Sequence, residues 1–320
     1  MGRGTASRVI NGSPRVSAHT REAVEAAVAE LGYVPNRAAR ALAGNRTDAI
    51  ALVVPESESR FFAEPYFSDI VRGVGAALAD TEMQLLLTLV GSDRERRRLA
   101  QYLTAHRVDG VLLVSVHADD PLPDLLEQLG MPAVMNGRRS ATEPLPSVDS
   151  DNFEGARGAV EHLASRGRRS IATITGRLDV YASQRRLDGY RKAVSESGLE
   201  PDERLIAPAD FSEEGGVRAM RELLARRPDL DAVFAASDLM AAGARQVLRE
   251  AGRIPDDVAL IGFDDSAVAR HMDPALTSVR QPIEEMGRTM TRVLLDMIAG
   301  ESAERPQIVL PTELIVRDSS

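Results

Sequence analysis

The chain has 320 residues, 43% of them hydrophobic, so it can bury sizeable cores, and its length predicts two or three domains. It contains no cysteine, which excludes disulfides, thiolate metal sites and cysteine nucleophiles and is typical of a reducing cytoplasm. The net charge of −9 counts against nucleic acid, but residues 1–46 hold seven arginines and three glutamates, so this basic arm carries +4 and the remaining body −13.

No segment has the hydropathy of an export signal or a membrane span. Residues 1–12 carry arginines and polar side chains without the apolar core of a signal peptide. The apolar runs at 49–55 and 111–116 have the length of buried strands and fall far short of the roughly 20 residues that span a bilayer. We therefore expect a cytoplasmic protein.

The basic arm begins with two predicted helices. Residues 4–11 form a short helix that ends at Asn11-Gly12, a common left-handed stop. After a turn at Pro14, Ser17 is placed to cap a second helix, which runs to Leu31 with apolar residues at helical spacing.

The stretch at 33–43 separates the basic arm from the acidic body. Pro35 cannot continue an incoming helix, and the helix formers after it make a run too short to be stable alone in water. A segment that folds only when something else holds it has the physical property of a switch. Arg37 and Arg40 can meet phosphates, and Leu42 is an apolar side chain on a helix without a core of its own. A plain linker with a chance helical turn is the alternative.

From residue 48 onward, strands and helices alternate. The predicted strands are 49–54, 84–90, 110–115 and 132–135 in a first series, and 170–175, a strand near 205, 232–235 and 258–261 in a second. The predicted helices are 67–79, 93–106, 121–129, 151–166, 182–197, 212–226 and 239–251. This pattern predicts an α/β fold of two doubly wound parallel-sheet lobes, which face each other across a cleft at the strand carboxyl ends. A small helical DNA-binding segment precedes them.

The residues that follow these strands have the chemistry of a sugar site. Rings offer flat faces to C–H surfaces, while carboxylates, amides and arginine meet hydroxyls. These residues are Phe61, Phe62, Pro65, Tyr66 and Phe67 after the first strand, and Asn136, Arg138, Asp149, Asp151, Ser237, Asp238, Asp264 and Asp265 after later ones. The alternatives are an exposed loop for Phe61 and Phe62, a helix N-cap for Asp238, and a turn for Asp264-Asp265.

Several motifs, in order, resemble the lactose-repressor (LacI/GalR) family. In the arm they are Thr5-Ala6-Ser7-Arg8-Val9-Ile10-Asn11-Gly12, Val16-Ser17, Thr20-Arg21-Glu22 and Ala29-Glu30-Leu31-Gly32-Tyr33-Val34-Pro35-Asn36. In the body they are Gly155-Ala156-Arg157, Glu161-His162-Leu163, Gly167, Arg185-Arg186, Gly189-Tyr190, Ala236-Ser237-Asp238, Gly262-Phe263-Asp264-Asp265 and Leu276-Thr277-Ser278-Val279-Arg280-Gln281-Pro282. The resemblance implies a partial helix-turn-helix domain at 1–34, a hinge helix and linker at 35–46, and an effector-binding and dimerisation core at 47–320.

The resemblance implies that the arm binds operator DNA. In the family a helix-turn-helix reads the major groove, and the hinge helix inserts a leucine into the minor groove at the operator centre. An arginine fork can bond two acceptors of guanine, and a leucine wedge bends the duplex. The DNA-binding residues carried over are Arg3, Gly4, Thr5, Ser7, Arg8, Asn11, Asn36, Arg37, Arg40 and Leu42, with Leu42 as the wedge. Phosphate contact or simple solvation is the alternative for Arg3 and Arg8.

The start of the sequence departs from the family pattern. The family's first helix and the beginning of its recognition helix should lie upstream of Thr5, where this sequence begins with Met1-Gly2. We favour a start further upstream over a loss of operator binding, because the motifs are retained in order. Without an upstream helix the small core that fixes the second helix is reduced, and we expect weak, mostly non-specific DNA affinity.

The resemblance also implies a periplasmic-binding-protein-like core that binds a small effector, usually a sugar or a nucleobase. The effector-binding residues carried over are Tyr66, Phe67, Asn136, Asp151, Glu154, Arg186, Phe211, Ser237, Asp238, Asp264 and Gln281. Arg186 and Asp264 are the principal pair, since each can bond two ring hydroxyls, and a structural salt bridge between them is the alternative. Ser237 is shorter than the asparagine common in the family. That difference leaves room for more than a monosaccharide, and similar actinobacterial regulators respond to cello-oligosaccharides.

We do not expect an enzyme, a metal site or a cofactor. The sequence has no Gly-x-Ser-x-Gly elbow, no P-loop and no His-Glu-x-x-His pair. A sugar-binding sensor or transport binding protein without operator binding is the rival interpretation, and the basic arm and the hinge motif count against it. The sequence therefore predicts a homodimeric repressor that binds operator DNA, responds to a small sugar and has no membrane partner.

Overall fold

The computed structural model describes residues 2–10, 16–31, 47–253, 257–301 and 305–320. Two short helices come first, α1 (Arg3–Ile10) and α2 (Ala18–Leu31), and they pack against each other. Val9 and Val24 are buried, and at the start of α2 the backbone N–H of Thr20 donates to Ser17 Oγ (3.4 Å). Both helices are confirmed to within one residue of their predicted bounds.

The rest of the described chain alternates strands with helices. The strands are β1 (Ala49–Val54), β2 (Gln84–Leu89), β3 (Gly110–Leu113), β4 (Ala133–Asn136), β5 (Ser147–Ser150), β6 (Ile171–Thr175), β7 (Ile206–Pro208), β8 (Ala232–Ala235), β9 (Ala259–Asp264), β10 (Thr277–Arg280), β11 (Gln307–Leu310) and β12 (Glu313–Ile315). The helices are α3 (Glu58–Ala63), α4 (Pro65–Leu78), α5 (Asp93–Thr104), α6 (Leu122–Gln128), α7 (Asn152–Ser165), α8 (Tyr181–Glu196), α9 (Glu213–Arg226), α10 (Asp238–Glu250), α11 (Ala267–His271) and α12 (Ile283–Ala299).

These elements form two lobes, each a six-stranded sheet with helices on both faces. The first sheet has the order β11-β5-β4-β3-β1-β2, with α4 and α12 on one face and α5 and α6 on the other. The second has the order β12-β10-β9-β8-β6-β7, with α7 and α8 on one face and α9 and α10 on the other. All strand pairs are parallel except that of β10 with β12. The predicted fold class is confirmed.

The described chain passes between the lobes three times. It leaves the first lobe after β5, returns after β10 to build α12 and β11, and crosses again to β12. No element had been predicted beyond residue 261, so this return is a structural finding. The ring-bearing segment after β1 forms helix α3 and the start of α4. In α3, Phe61 is buried and Phe62 is 73% exposed.

Two glycines explain how α12, although late in the sequence, is fixed to the first lobe. A Cβ on Gly73 of α4 would lie 2.0 Å from the carbonyl oxygen of Glu284, and one on Gly287 would lie 2.5 Å from that of Ile70. Only glycine therefore lets the two helix backbones approach this closely. None of the helices in the described ranges is long and apolar enough to cross a membrane.

Candidate functional site

A cavity of about 100 Å³ lies between the lobes, where strands of both sheets end. Parallel sheets place ligand sites at this edge, because loops and helix N-termini converge there. Both lobes contribute side chains to its walls. Nine of the eleven predicted effector residues line it, namely Tyr66, Phe67, Asn136, Arg186, Phe211, Ser237, Asp238, Asp264 and Gln281.

Arg186 of α8 is buried in the wall formed by the second lobe. Its Nε donates to Asn152 Oδ1 (2.8 Å) and its Nη1 to the carbonyl oxygen of Ala236 (2.5 Å). Its guanidinium carbon lies 3.7 Å from the ring centroid of Phe263. Burial lowers the pKa of this guanidinium, and the nearby Asp264 carboxyl opposes that shift. The side chain is therefore a fixed positive charge at the cavity wall.

Asp264 ends β9 in a strained backbone conformation, with φ of 109°. Its Oδ1 accepts a hydrogen bond from Gln281 Nε2 (2.6 Å). Burial raises the pKa of the carboxyl to about 8, although Arg186 acts in the opposite direction. Burial therefore favours the protonated carboxyl, which can both donate to and accept from a hydroxyl. No ion pair joins it to Arg186 in the described chain, so the alternative of a structural salt bridge between them is not supported.

The wall formed by the first lobe is a hydrogen-bonded polar surface. The Tyr66 hydroxyl donates to Asn136 Oδ1, and burial raises the pKa of the phenol. Asp149 Oδ1 accepts from the backbone N–H of Ser150 (2.8 Å) and from Asn152 Nδ2 (2.9 Å). Burial raises the pKa of Asp149 as well. Asn152 therefore connects Asp149 of the first lobe to Arg186 of the second.

Two arginines of the first lobe lie over rings of the second. The Arg60 guanidinium carbon is 5.4 Å from the Phe211 ring centroid, and that of Arg138 is 5.4 Å from the Tyr181 centroid. Phe211 has a φ of 67°, and its ring packs directly on the backbone of Gly176, where a Cβ would lie 2.1 Å from Phe211 Cζ. These cation–π contacts help to hold the lobes closed around the cavity.

Asp151 and Glu154 do not lie in the cavity lining, and this corrects their prediction as effector residues. Asp151 caps α7, where its Oδ1 accepts from the backbone N–H of Glu154 (3.0 Å). Glu154 is exposed and pairs with Arg157 (2.6 Å) on the next turn. Both side chains therefore stabilise the start of a helix.

Ser237 and Asp238 line the cavity but have structural partners. Ser237 rather than Asp238 is the N-cap of α10, since its Oγ accepts from the backbone N–H of Met240 (3.2 Å). Asp238 Oδ1 accepts from Ser278 Oγ (2.6 Å) and its Oδ2 from the backbone N–H of Ser266 (2.7 Å). Burial raises the pKa of Asp238 to about 6. These contacts leave Asp238 little capacity for a ligand.

Several lining residues were absent from the predicted set. They are Arg60, Glu64, Pro65, Ser115, Val116, Gly137, Arg138, Asp149, Asn152, Val180, Ala182, Leu239 and Ser266. Arg138 and Asp149 follow predicted strands, and that position is the sequence feature that points to them. Arg60 and Asn152 lie on helices, so this feature does not point to them. In the ranges that the structure describes, no cluster of His, Asp and Glu side chains is arranged to hold a metal ion.

The predicted DNA-binding residues lie partly within the described chain. On α1, Gly4 and Arg8 are exposed and Thr5 is half-buried, so all three present surface to a partner. Arg3 and Ser7 lie on the same helix, but their side chains are outside the description. Asn11, Asn36, Arg37, Arg40 and Leu42 are outside the described residues altogether.

Comparison with known proteins gives matches to both parts of the chain. The family model "Bacterial regulatory proteins, lacI family" matches residues 2–36, and "Periplasmic binding protein-like domain" matches residues 160–320. The chain is 53% identical over 322 residues to the HTH-type transcriptional regulator CelR of Thermobifida fusca, covering 100% of this chain and 95% of that protein.

Solved structures agree in fold over nearly the whole chain. A complex of the transcriptional regulator CelR with cellobiose matches with a TM-score of 0.83 and 52% identity, covering 100% of this chain and 96% of that one. The lac repressor dimer bound to operator and the anti-inducer ONPF matches with a TM-score of 0.84 and 29% identity, covering 99% of this chain and 94% of that one.

Proposed function

The chain belongs to the lacI family of bacterial regulatory proteins, and we propose that it is a homodimeric repressor whose effector is a β-linked glucose disaccharide such as cellobiose. It is a DNA-binding transcriptional regulator controlled by a sugar, as the sequence resemblance implied. We propose no catalytic activity for this protein. We place it in the cytoplasm, because its proposed partner is chromosomal DNA.

The cavity between the lobes is the observation that carries the proposal. It offers a fixed guanidinium on Arg186 and a carboxyl on Asp264, two groups that bond paired hydroxyls of a sugar ring. Tyr66 and Phe211 supply ring surfaces from opposite lobes. A sugar held between these groups contacts both lobes at once and so favours one arrangement of the lobes over others.

The choice of a glucose disaccharide has a separate basis. The relative at 53% identity is named CelR, and the matching solved structure of that name is a complex with cellobiose. Because two of the predicted effector residues lie outside the cavity, our proposed contacts are Tyr66, Asn136, Arg186, Phe211, Asp264 and Gln281, together with Asp149.

The proposed DNA contacts come from the basic arm and the hinge. Arg8 and Gly4 on the exposed surface of α1 are assigned to the operator, and residues 35–46, which lie outside the described residues, to the hinge. The lac repressor, solved as a dimer on its operator, is the precedent for this arrangement. Leu42 is assigned as the minor-groove wedge.

Effector binding is proposed to release the operator. A sugar that binds the released arrangement of the lobes more tightly than the operator-bound arrangement shifts the protein towards release. The coupling between the two sites should amount to about 1–3 kcal/mol, the usual range for allosteric regulators.

Fluorescence anisotropy at fixed salt tests this proposal. The labelled duplex is one selected for tight binding from a random pool, with a scrambled duplex as control, and the chain is used alone and extended upstream in frame. We expect tight, sequence-dependent binding that cellobiose releases and that glucose, sucrose and lactose release less. Sugar binding without any DNA binding by either form would instead make the protein a sensor or carrier and refute the repressor assignment.

A further inference from the structure

The cavity between the lobes adjoins a second, larger space. This outer cleft encloses about 1050 Å³, against about 100 Å³ for the inner cavity. Arg60, Glu64 and Leu239 line both spaces. These three side chains, which we call the partition, therefore lie where the two spaces adjoin.

Both lobes contribute to the partition. From the first lobe, Arg60 donates through Nε to Glu64 Oε1 (2.5 Å) and through Nη1 to Glu56 Oε1 (2.8 Å), while its guanidinium carbon lies 5.4 Å from the Phe211 centroid. From the second lobe, Leu239 projects from the first turn of α10. Arg60 is thus fixed by two charge-assisted hydrogen bonds and by a ring of the opposite lobe.

The sizes of the two spaces decide how an oligosaccharide would be distributed. Small-molecule sites usually enclose about 300–1,000 Å³, so the inner cavity alone is small for a disaccharide. The outer cleft has ample room, and its walls carry Arg96, His117, Asp179 and Asp210, which can bond hydroxyls and still remain hydrated. A chain of sugars that starts in the inner cavity reaches the outer cleft by passing the partition.

We propose that the outer cleft is a subsite for the further sugar units of the effector and that Arg60 determines the length of glucan that the protein accepts. This inference rests on the proposed function and extends it. In the wild type, a second or third ring must displace the Arg60 guanidinium from at least one of its two glutamates. The strength of those hydrogen bonds therefore reduces the affinity that each ring beyond the first gains from the outer cleft.

Isothermal titration calorimetry with glucose, cellobiose and cellotriose tests the inference on three variants. Arg60→Ala removes the partition from the first lobe, and Leu239→Ala widens the same opening from the second lobe without altering charge. Arg72→Ala is the matched control, because Arg72 lies on α4, lines neither space and pairs with Glu284 (3.6 Å). Thermal unfolding shows whether each variant is folded.

We expect Arg60→Ala to raise the ratio of cellotriose affinity to glucose affinity about tenfold or more. The reason is that cellotriose no longer has to break a charge-assisted hydrogen bond of Arg60 in order to bind. Leu239→Ala should raise the ratio in the same direction, and Arg72→Ala should leave it within twofold. An unchanged ratio in both partition variants would overturn the inference. This includes the result that the affinities for all three sugars fall equally, which would mean that Arg60 only contacts the first ring. If the wild type bound none of the sugars, the proposed effector class and this inference would both fall.

Discussion

Replacing Arg186 by methionine is the sharpest test of the effector site. Methionine keeps an unbranched stem over the Phe263 ring, where the guanidinium carbon now lies 3.7 Å from the centroid, but it removes the charge and every donor. One charge-assisted hydrogen bond to a sugar contributes about 1.5–3 kcal/mol, so the effector dissociation constant should rise roughly 10- to 150-fold.

The same substitution should also lower the free energy of unfolding. Asn152 Oδ1 and the carbonyl oxygen of Ala236 lose their donors, and an unpaired buried acceptor costs about 1–3 kcal/mol. Part of this cost is offset, because burial already lowers the pKa of the Arg186 guanidinium and so opposes its charged form. Without that positive charge the pKa of Asp264 should rise further above its present value of about 8.

Calorimetric titration with cellobiose, together with thermal unfolding, measures both effects. Arg185→Met is the matched control, since Arg185 is the adjacent residue but pairs with Asp188 (2.9 Å) on the protein surface. The control should bind cellobiose within twofold of the wild type. If Arg186→Met did the same while remaining folded, Arg186 would be a structural residue and the assignment of the site would be refuted.

Three further substitutions address other parts of the mechanism. Tyr66→Phe removes the hydroxyl that donates to Asn136, so unfolding free energy should fall by about 0.5–1.5 kcal/mol in denaturant titrations, and no change would mean that this hydrogen bond is not formed. His117 has a raised pKa, chiefly through its hydrogen bond to Glu56. The stabilisation lost in His117→Gln should therefore be full below pH 6.5 and vanish as the pH rises through that raised pKa; a difference that grew with pH would contradict this. Leu42→Ala should weaken operator binding in the anisotropy assay without altering effector affinity, and equal operator affinity would remove the wedge assignment.

The alternation of apolar strand runs with predicted helices was sufficient to predict most of the fold of the two lobes. The strands at Ala49–Val54 and Ala232–Ala235 have the bounds that the sequence predicted, because a buried parallel strand is a short apolar run between turn signals. The return of α12 and β11 to the first lobe was not predictable in this way. Their place depends on contacts between residues far apart in sequence, such as Gly287 against Ile70, which no local pattern encodes.

The candidate site was predictable where it lies at strand ends. Asp264 and Asn136 terminate strands, so topology alone brings them to the edge that faces the other lobe. Arg60 could not be found by that argument, because it sits on a short helix, α3, where the sequence predicts no element. Glu154 was misplaced for the converse reason: it follows a strand closely in sequence, but α7 has already begun and turns its side chain to the surface.

The contacts of Gln281 show how the cavity can communicate with the rest of the molecule. Gln281 lies where the chain returns from the second lobe to the first, between β10 and α12, and its Nε2 donates to Asp264. Its Oε1 accepts from Ser150 Oγ (2.5 Å), at the point where the chain first leaves that lobe. A sugar that engages Asp264 would therefore act on the hydrogen bonds that link two of the crossings between the lobes. Two such hydrogen bonds, at about 0.5–1.5 kcal/mol each, are of the size that a coupling of about 1–3 kcal/mol requires.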